Sequence, residues 1–220
     1  MATRNITFAI GEYYHIYNRG TEKREIFLDE DDRKRFIKLL FVANGTKPFA
    51  FRDFPVGLPY VEFERGDPAL AIGAYCLMPN HFHILIRETN ENGISKVMGK
   101  VLTSYSSYFN KKYKRTGRLF EGPFKARHVD TDNYLKYLFS YIHLNPVKII
   151  DPEWKENGIK DRETAKKYLL SYIYSSYLDY MGSERIEQKI LNKTAFPNYF
   201  AEFKDFNQFI DEWLSFEPLT

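Results

Sequence analysis

The sequence predicts an α+β fold, a central antiparallel β-sheet with helices packed on its faces, and three observations predict it. Two short strand-like runs flank the turn Met78-Pro79-Asn80, as in a hairpin. Longer stretches between the strand-like runs carry apolar residues at helical spacing. The two kinds of segment do not alternate as regular βαβ units, which points away from a parallel sheet.

In chain order, Thr7 to Tyr17 reads as a strand, followed by a turn at Gly20-Thr21. Asp29 to Ala43 reads as a helix, because its acidic start suits a helix N-terminus and Phe36, Ile37, Leu39, Leu40 and Val42 form a buried side. Residues 44–68 contain four prolines and three glycines and read as a long loop with room for a short strand or helical piece. Ala69 to Leu77 and His81 to Arg87 are the two arms of the hairpin. Gly93 to Lys114 is helical in pattern and is ended by Gly117. Phe120 to Val129 passes through Gly122-Pro123 into a short strand. Thr131 to Leu144 is a second strong helix with Asp130, Thr131 and Asp132 available as caps, and Pro146 is expected to stop it at Asn145. Further helices are expected near Glu163–Tyr168 and Phe206–Phe216. We divide the chain into a main domain, 1–180, and a C-terminal helical extension, 181–220, to which no chemistry is assigned.

Composition narrows the class. With 220 residues, 44% of them hydrophobic, the chain can bury one sizeable core. Cys76 is the only cysteine, so no internal disulfide can form and a reducing compartment is expected. The opening MATRNITFAIGEYY lacks the apolar core of a signal peptide, and no run approaches the ~20 apolar residues that span a bilayer. These features predict a soluble cytoplasmic protein without a membrane partner. The net charge is only +3, yet Lys100, Lys111, Lys112, Lys114, Arg115, Arg118, Lys125 and Arg127 share one stretch with a single acid, Glu121. Such a stripe is read either as a groove for a polyanion or as a solvated helix face.

The chemistry-bearing residues lie on two elements. In a strand, residues i and i+2 share a face, so His81 and His83 point together while Phe82, Ile84 and Ile86 point into a core. Two imidazoles on an open face with apolar anchors behind them could hold a metal, or could simply be polar surface. On the helix, Tyr137, Tyr141 and Asn145 are four apart and fall near one stripe, with Tyr134 close by. A phenol is a weak nucleophile at its usual pKa near 10, but beside a metal-bound phosphate it can attack in line. The amide oxygen of Asn145 is a hard donor suited to Mg²⁺ or Mn²⁺. With 17 tyrosines in the chain, spacing alone does not single out Tyr141.

Five strings do so together: YHIYNRG (14–20), AYCLMPNHFHILI (74–86), GRLFEGPFKARHV (117–129), YLKYLFSYIHLNPVK (134–148) and YSSY (174–177). In this order they resemble the REP-associated tyrosine transposases, single-tyrosine HUH nucleases related to the transposases of small insertion sequences. The resemblance spans roughly residues 10 to 180. It implies a ferredoxin-like, RRM-like sheet with the histidine pair on a middle strand. It implies a divalent metal held by His81, His83 and Asn145, where relatives often have glutamine at the last position. It implies that Tyr141 attacks single-stranded DNA to give a 5′-phosphotyrosine, which a 3′-hydroxyl later reseals, beside palindromic hairpins. It also leaves open a monomer or a homodimer sharing the tyrosine helix.

Arg19, Lys111, Lys112, Lys114, Arg115, Arg118, Lys125 and Arg127 are the expected DNA contacts, and His128 is a candidate for the rim of the site. Tyr105, Tyr108, Phe109, Tyr113, Phe120 and Phe124 interleave with these cations and could stack on bases, although most are equally suited to a core. Two other readings compete with the enzyme. A binding module could hold DNA hairpins on the same surface without cutting. Alternatively, the histidines could hold structural zinc, for which only Cys76 offers a further soft ligand.

Overall fold

The computed structural model describes residues 6–50, 59–199 and 203–214. Four strands, β1 (Tyr13–Arg19), β2 (Leu70–Met78), β3 (His81–Glu88) and β4 (Lys125–Val129), form one antiparallel sheet in the order β2-β3-β1-β4. The hairpin partners β2 and β3 meet around Met78↔His81, and β3 then pairs with β1 through Tyr17↔His83. The α+β expectation holds. β1 is shorter than expected at its start, because Gly11 adopts a left-handed φ of +89° and Glu12 N–H closes a turn onto Ala9 O, so pairing begins only at Tyr13.

Helices cover both faces. α1 (Glu30–Val42) and α2 (Gly93–Lys112) pack on one face, where Phe36, Leu40, Val97 and Val101 share a core with Ile16, Phe82, Ile84 and Ile86. α3 (Asp132–Leu144) packs on the other, where Leu138, Phe139 and Ile142 meet Ala74, Cys76 and Leu85. The helix starts are fixed by side chains that satisfy free backbone N–H groups. Asp29 and Asp32 form a capping box at α1. Glu88, at the end of β3, accepts from Gly93 N (2.6 Å) and Ile94 N (2.9 Å), tying α2 to the strand before it. Thr131 caps α3 by accepting from Tyr134 N.

Proline does not break the backbone after α3. Asn145 (φ −51°, ψ −40°) and Pro146 (φ −59°, ψ −26°) both stay in the right-handed helical region and lead into α4 (Val147–Ile150). Pro146 precedes the first residue of this new helix, a position where its missing N–H costs nothing. α5 (Trp154–Asn157), α6 (Arg162–Ser171) and α7 (Tyr177–Tyr180) follow.

Residues 174–176 run along the free edge of β2, with Leu77 N donating to Tyr174 O and Ser176 N to Tyr75 O. Covering that edge removes a row of unpaired backbone groups. The chain beyond 180 continues the same task, with Asn192 N donating to Ile72 O. Gly73 marks the bulge in β2, where a Cβ would come within 2.6 Å of the Phe196 ring. Phe196, Phe206, Ile210 and Leu214 all join the core beneath α3. The last helix, α8 (Phe203–Leu214), overlaps the expected 206–216 segment, whose final two residues lie outside the described residues. Of the expected 44–68 loop, residues 51–58 lie outside them too, and the rest holds only a short 3-10 turn at Tyr60–Glu62.

Candidate active site

Register brings the site residues to one face. On β3, His81 and His83 lie on the α3 side while Phe82, Ile84 and Ile86 enter the opposite core. On β1 the partners of His81 and His83 are Arg19 and Tyr17, and His15 lies two residues further along the same face. β4 adds Lys125 opposite Tyr17 and Arg127 opposite His15. Directly opposed residues of an antiparallel pair share a face, so three strands contribute to one surface. α3 lies over it. The Tyr141 ring is 5.3 Å from that of His83, edge to face, and 5.9 Å from that of His15.

The two expected histidine ligands are held by hydrogen bonds. His83 Nδ1 is 2.8 Å from His15 Nε2, and His81 Nδ1 is 2.6 Å from Asn80 Oδ1. Their rings meet at 5.0 Å, nearly perpendicular. Burial pushes His81 down to about 4, with the Asn145 amide oxygen, an acceptor for the ring N–H, opposing and nearby Lys155 adding to the shift. Burial, then the neighbouring His15 and His81, hold His83 well below the usual range. Burial takes His15 down to about 3, with Arg127 and Lys155 contributing. All three rings are therefore neutral, the state in which an imidazole nitrogen has a lone pair to donate. Asn145 is buried, donates its Nδ2 to Tyr141 O at 3.0 Å, and lines the same cavity as His81 and His83.

These donors fit a divalent metal. The engaged Nδ1 atoms orient both rings, as outer partners of metal-binding histidines do. No cluster of three or more His, Cys, Asp or Glu side chains with metal-binding geometry occurs among the described residues, so two imidazoles and an amide form an open set rather than a closed one. Cys76 opposes His83 on β2, but burial pushes its thiol pKa far up, and a neutral thiol does not complete a zinc site.

A cavity of about 500 Å³ opens beside this group, lined by Arg19, His81, Tyr141, Asn145, Lys148 and Lys155 among others. A second, of about 320 Å³, lies on the other side of Tyr141 between Tyr17, Arg127, Tyr134 and Tyr137. The Tyr134–Tyr137–Tyr141 stripe expected on α3 is thus realised, with Arg127 over the Tyr134 ring at 4.4 Å.

The expected cations divide. Arg19 and Lys125 reach the larger cavity, where both approach Glu121, at 2.9 and 3.9 Å. Lys111, Lys112, Lys114, Arg115 and Arg118 lie on α2 and the loop after it, and α2 packs on the opposite face of the sheet. Lys112 is bound to Asp29 and Asp32 (2.7 and 2.9 Å), and Arg115 stacks on Phe109. His128 pairs in register with Tyr14 and contacts Glu12 at 2.7 Å, which puts it on the face away from the histidine pair and off the rim. Tyr105, Phe109, Phe120 and Phe124 are core residues, while Tyr108 and Tyr113 donate to Asp32. None of the six serves as an open stacking platform in this arrangement.

Sequence reasoning missed His15, Tyr17, Lys148 and Lys155. The first two were accessible, because His15-Ile16-Tyr17 repeats the i, i+2 logic used for His81 and His83. The lysines had no local signal.

Known proteins bear on this geometry. Residues 66–145 match the family model of IS200-like transposases. The matched segment begins before the hairpin and ends on Asn145, so it contains both histidines and Tyr141. Among solved structures, that of a REP-associated tyrosine transposase bound to a REP hairpin is similar to this chain. Its TM-score is 0.53 at 12% identity, with 83% of this chain and 86% of that one covered. At that identity the likeness is one of fold. No curated protein matches the chain. The family model agrees with the resemblance read from the sequence over residues 66–145, and the solved structure shares the fold.

Proposed function

We propose that this chain is a metal-dependent nuclease-transposase that cleaves and rejoins single-stranded DNA, beside a hairpin, through a 5′-phosphotyrosine on Tyr141. The observation that carries the reading is the approach of the Tyr141 ring to the His83 ring at 5.3 Å within one chain. No second copy is needed to bring nucleophile and histidines together, so a monomer can act.

In this reaction the Tyr141 oxygen forms a bond to phosphorus. The bond from phosphorus to the 3′-oxygen breaks, and the phenol proton ends on that leaving oxygen. Rejoining reverses the step, and no external energy source is required because the ester is conserved. His81, His83 and Asn145 would hold Mg²⁺ or Mn²⁺, which supplies charge neutralisation to the phosphate when bound. His15 and Asn80 fix the two imidazoles, Asn145 is anchored to the turn of α3 that carries Tyr141, and Arg19, Lys125 and Arg127 attract the strand. A single buried thiol suits the reducing cytoplasm, where such DNA is found.

Incubation with a hairpin oligonucleotide carrying a single-stranded flank tests the reading. A covalent protein–DNA adduct should form with Mg²⁺ or Mn²⁺, fail with chelator, and disappear in Tyr141→Phe while binding survives. Binding without any adduct under every metal condition would instead establish a non-cleaving hairpin-binding protein.

A further inference from the structure

Lys155 stands apart from the other cations around the site. Its Nζ lies 4.0 Å from the centroid of the Tyr141 ring and 5.7 Å from that of Trp154. It lines the 500 Å³ cavity together with His81, His83 and Asn145, and Lys148 lines it too. Arg19 and Lys125 share Glu121, but neither Lys155 nor Lys148 has a carboxylate partner among the described residues.

The backbone holds this lysine in place. Asn157 N donates to Glu153 O, and Lys160 N donates to Asp151 Oδ2 at 3.1 Å, which closes the 151–160 segment on itself. Gly158 turns the chain with φ +75°, and Ile159 is buried behind it. A half-buried ammonium with no anion of its own, fixed against the ring of a nucleophile, is suited to an anionic oxygen brought by the substrate.

We infer that Lys155, assisted by Lys148, binds a non-bridging oxygen of the phosphodiester that Tyr141 attacks. This rests on the proposed role of Tyr141. The negative charge on phosphorus grows as the Tyr141 oxygen adds and the 3′-oxygen departs with the electron pair of the broken bond. An ammonium beside the ring meets that charge without forming or breaking any bond itself.

The test uses the full chain and a single-stranded oligonucleotide that contains the cleaved junction. Lys155→Met keeps the apolar stem and should slow adduct formation about a hundredfold, the usual effect of losing one charge-stabilising donor. Lys155→Arg should recover much of the rate, and Lys160→Ala, an exposed lysine of the same loop, should change nothing. In a Tyr141→Phe background, which keeps the aromatic ring, Lys155→Met should weaken oligonucleotide binding and lower the log–log salt slope by about 0.7, one phosphate contact on a single strand. A Lys155→Met chain with unchanged adduct rate, or with unchanged affinity and slope in that background, overturns the inference. If the chain with Tyr141 intact forms no adduct, the role of Tyr141 fails, and the binding comparison still decides whether Lys155 holds a phosphate.

Discussion

Two groups of cations differ in how they are arranged along the chain and in space. The first, Lys111 to Arg118, is dense in sequence and sits at the end of α2. The second, Arg19, Lys125, Arg127, Lys148 and Lys155, is scattered over more than a hundred residues and gathers around Tyr141. Lys112 in the first group is consumed by an internal ion pair with the buried Asp32. In the second group two lysines have no carboxylate partner among the described residues. Proximity in sequence reports the surface of one helix, whereas a site is assembled by sheet register and by the helices that cross it. The largest contrast should therefore appear in chemistry. Substituting His83→Ala should remove adduct formation altogether, and His15→Ala should lower its metal-supported rate by about 10–100-fold, the usual effect of losing an orienting partner. A His15→Ala chain with unaltered metal response would show that the 2.8 Å contact to His83 does not orient it.

Next comes DNA affinity. Replacing Lys125 and Arg127 together should weaken binding of the hairpin with its single-stranded flank by roughly tenfold at moderate salt. Its log–log salt slope should fall by about 1.4, the value for two phosphates on a single strand. Replacing Lys111 and Arg118 should reduce affinity by less. Both pairs can be followed by fluorescence anisotropy over a salt series. A larger loss from the α2 pair would reverse the comparison and route the hairpin stem over the opposite face of the sheet.

The same contrast explains what the sequence could reveal. The α+β class, the hairpin, α1 and α3 were legible because apolar periodicity is a local property that long-range packing then reinforces. The histidine pair was legible for the same reason, since i and i+2 share a face wherever the strand lies. Tyr141 was selected only through its resemblance to a family, because nothing local separates it from Tyr137. Whether Lys112 or Lys155 faces DNA depends on which carboxylates the fold brings near, and Asp29 lies 83 residues from Lys112. His128 looked like a site residue until register set it opposite Tyr14. α3 ends at Leu144 as expected, yet Asn145 and Pro146 keep helical geometry because α4 begins immediately after.

A pH effect should follow from the site itself. His15, His81, His83 and the buried His143 on α3 are all held neutral, chiefly by burial. Their folded pKa values lie below the usual 6.5, so the unfolded chain binds more protons between about pH 6.5 and 3, and stability rises with pH across that window. The contribution is complete above 6.5 and is lost as pH falls toward 4 and 3, the values for His81 and His15. Thermal melts at pH 7.5 and 5.0 in the absence of metal should show a lower Tm at the acidic value. His143→Gln, which keeps a polar partner for Ser176 at the position of the 2.7 Å contact, should narrow that difference. An equal gap in the variant would place the acid sensitivity elsewhere.

The smallest effect should separate stability from DNA binding at the α2 end. Lys112 donates to Asp29 and to Asp32, and Asp32 is fully buried while also accepting from Leu28 N, Tyr108 and Tyr113. The hydrogen bond from Lys112 holds the Asp29 carboxyl down at about 2. In Lys112→Met the carboxylate of Asp32 loses its cation but keeps its neutral donors, so destabilisation should be about 1–3 kcal/mol, the range for a buried polar group that loses a partner. Urea denaturation with an unchanged m-value would record this as a lower midpoint. Because the Lys112 charge is already neutralised within the protein, oligonucleotide affinity and salt slope should stay as they were. A variant that folds as stably as the parent but binds DNA with a lower salt slope would mean that Lys112 leaves Asp32 for the phosphate backbone, and would move it from the structural group of cations to the binding one.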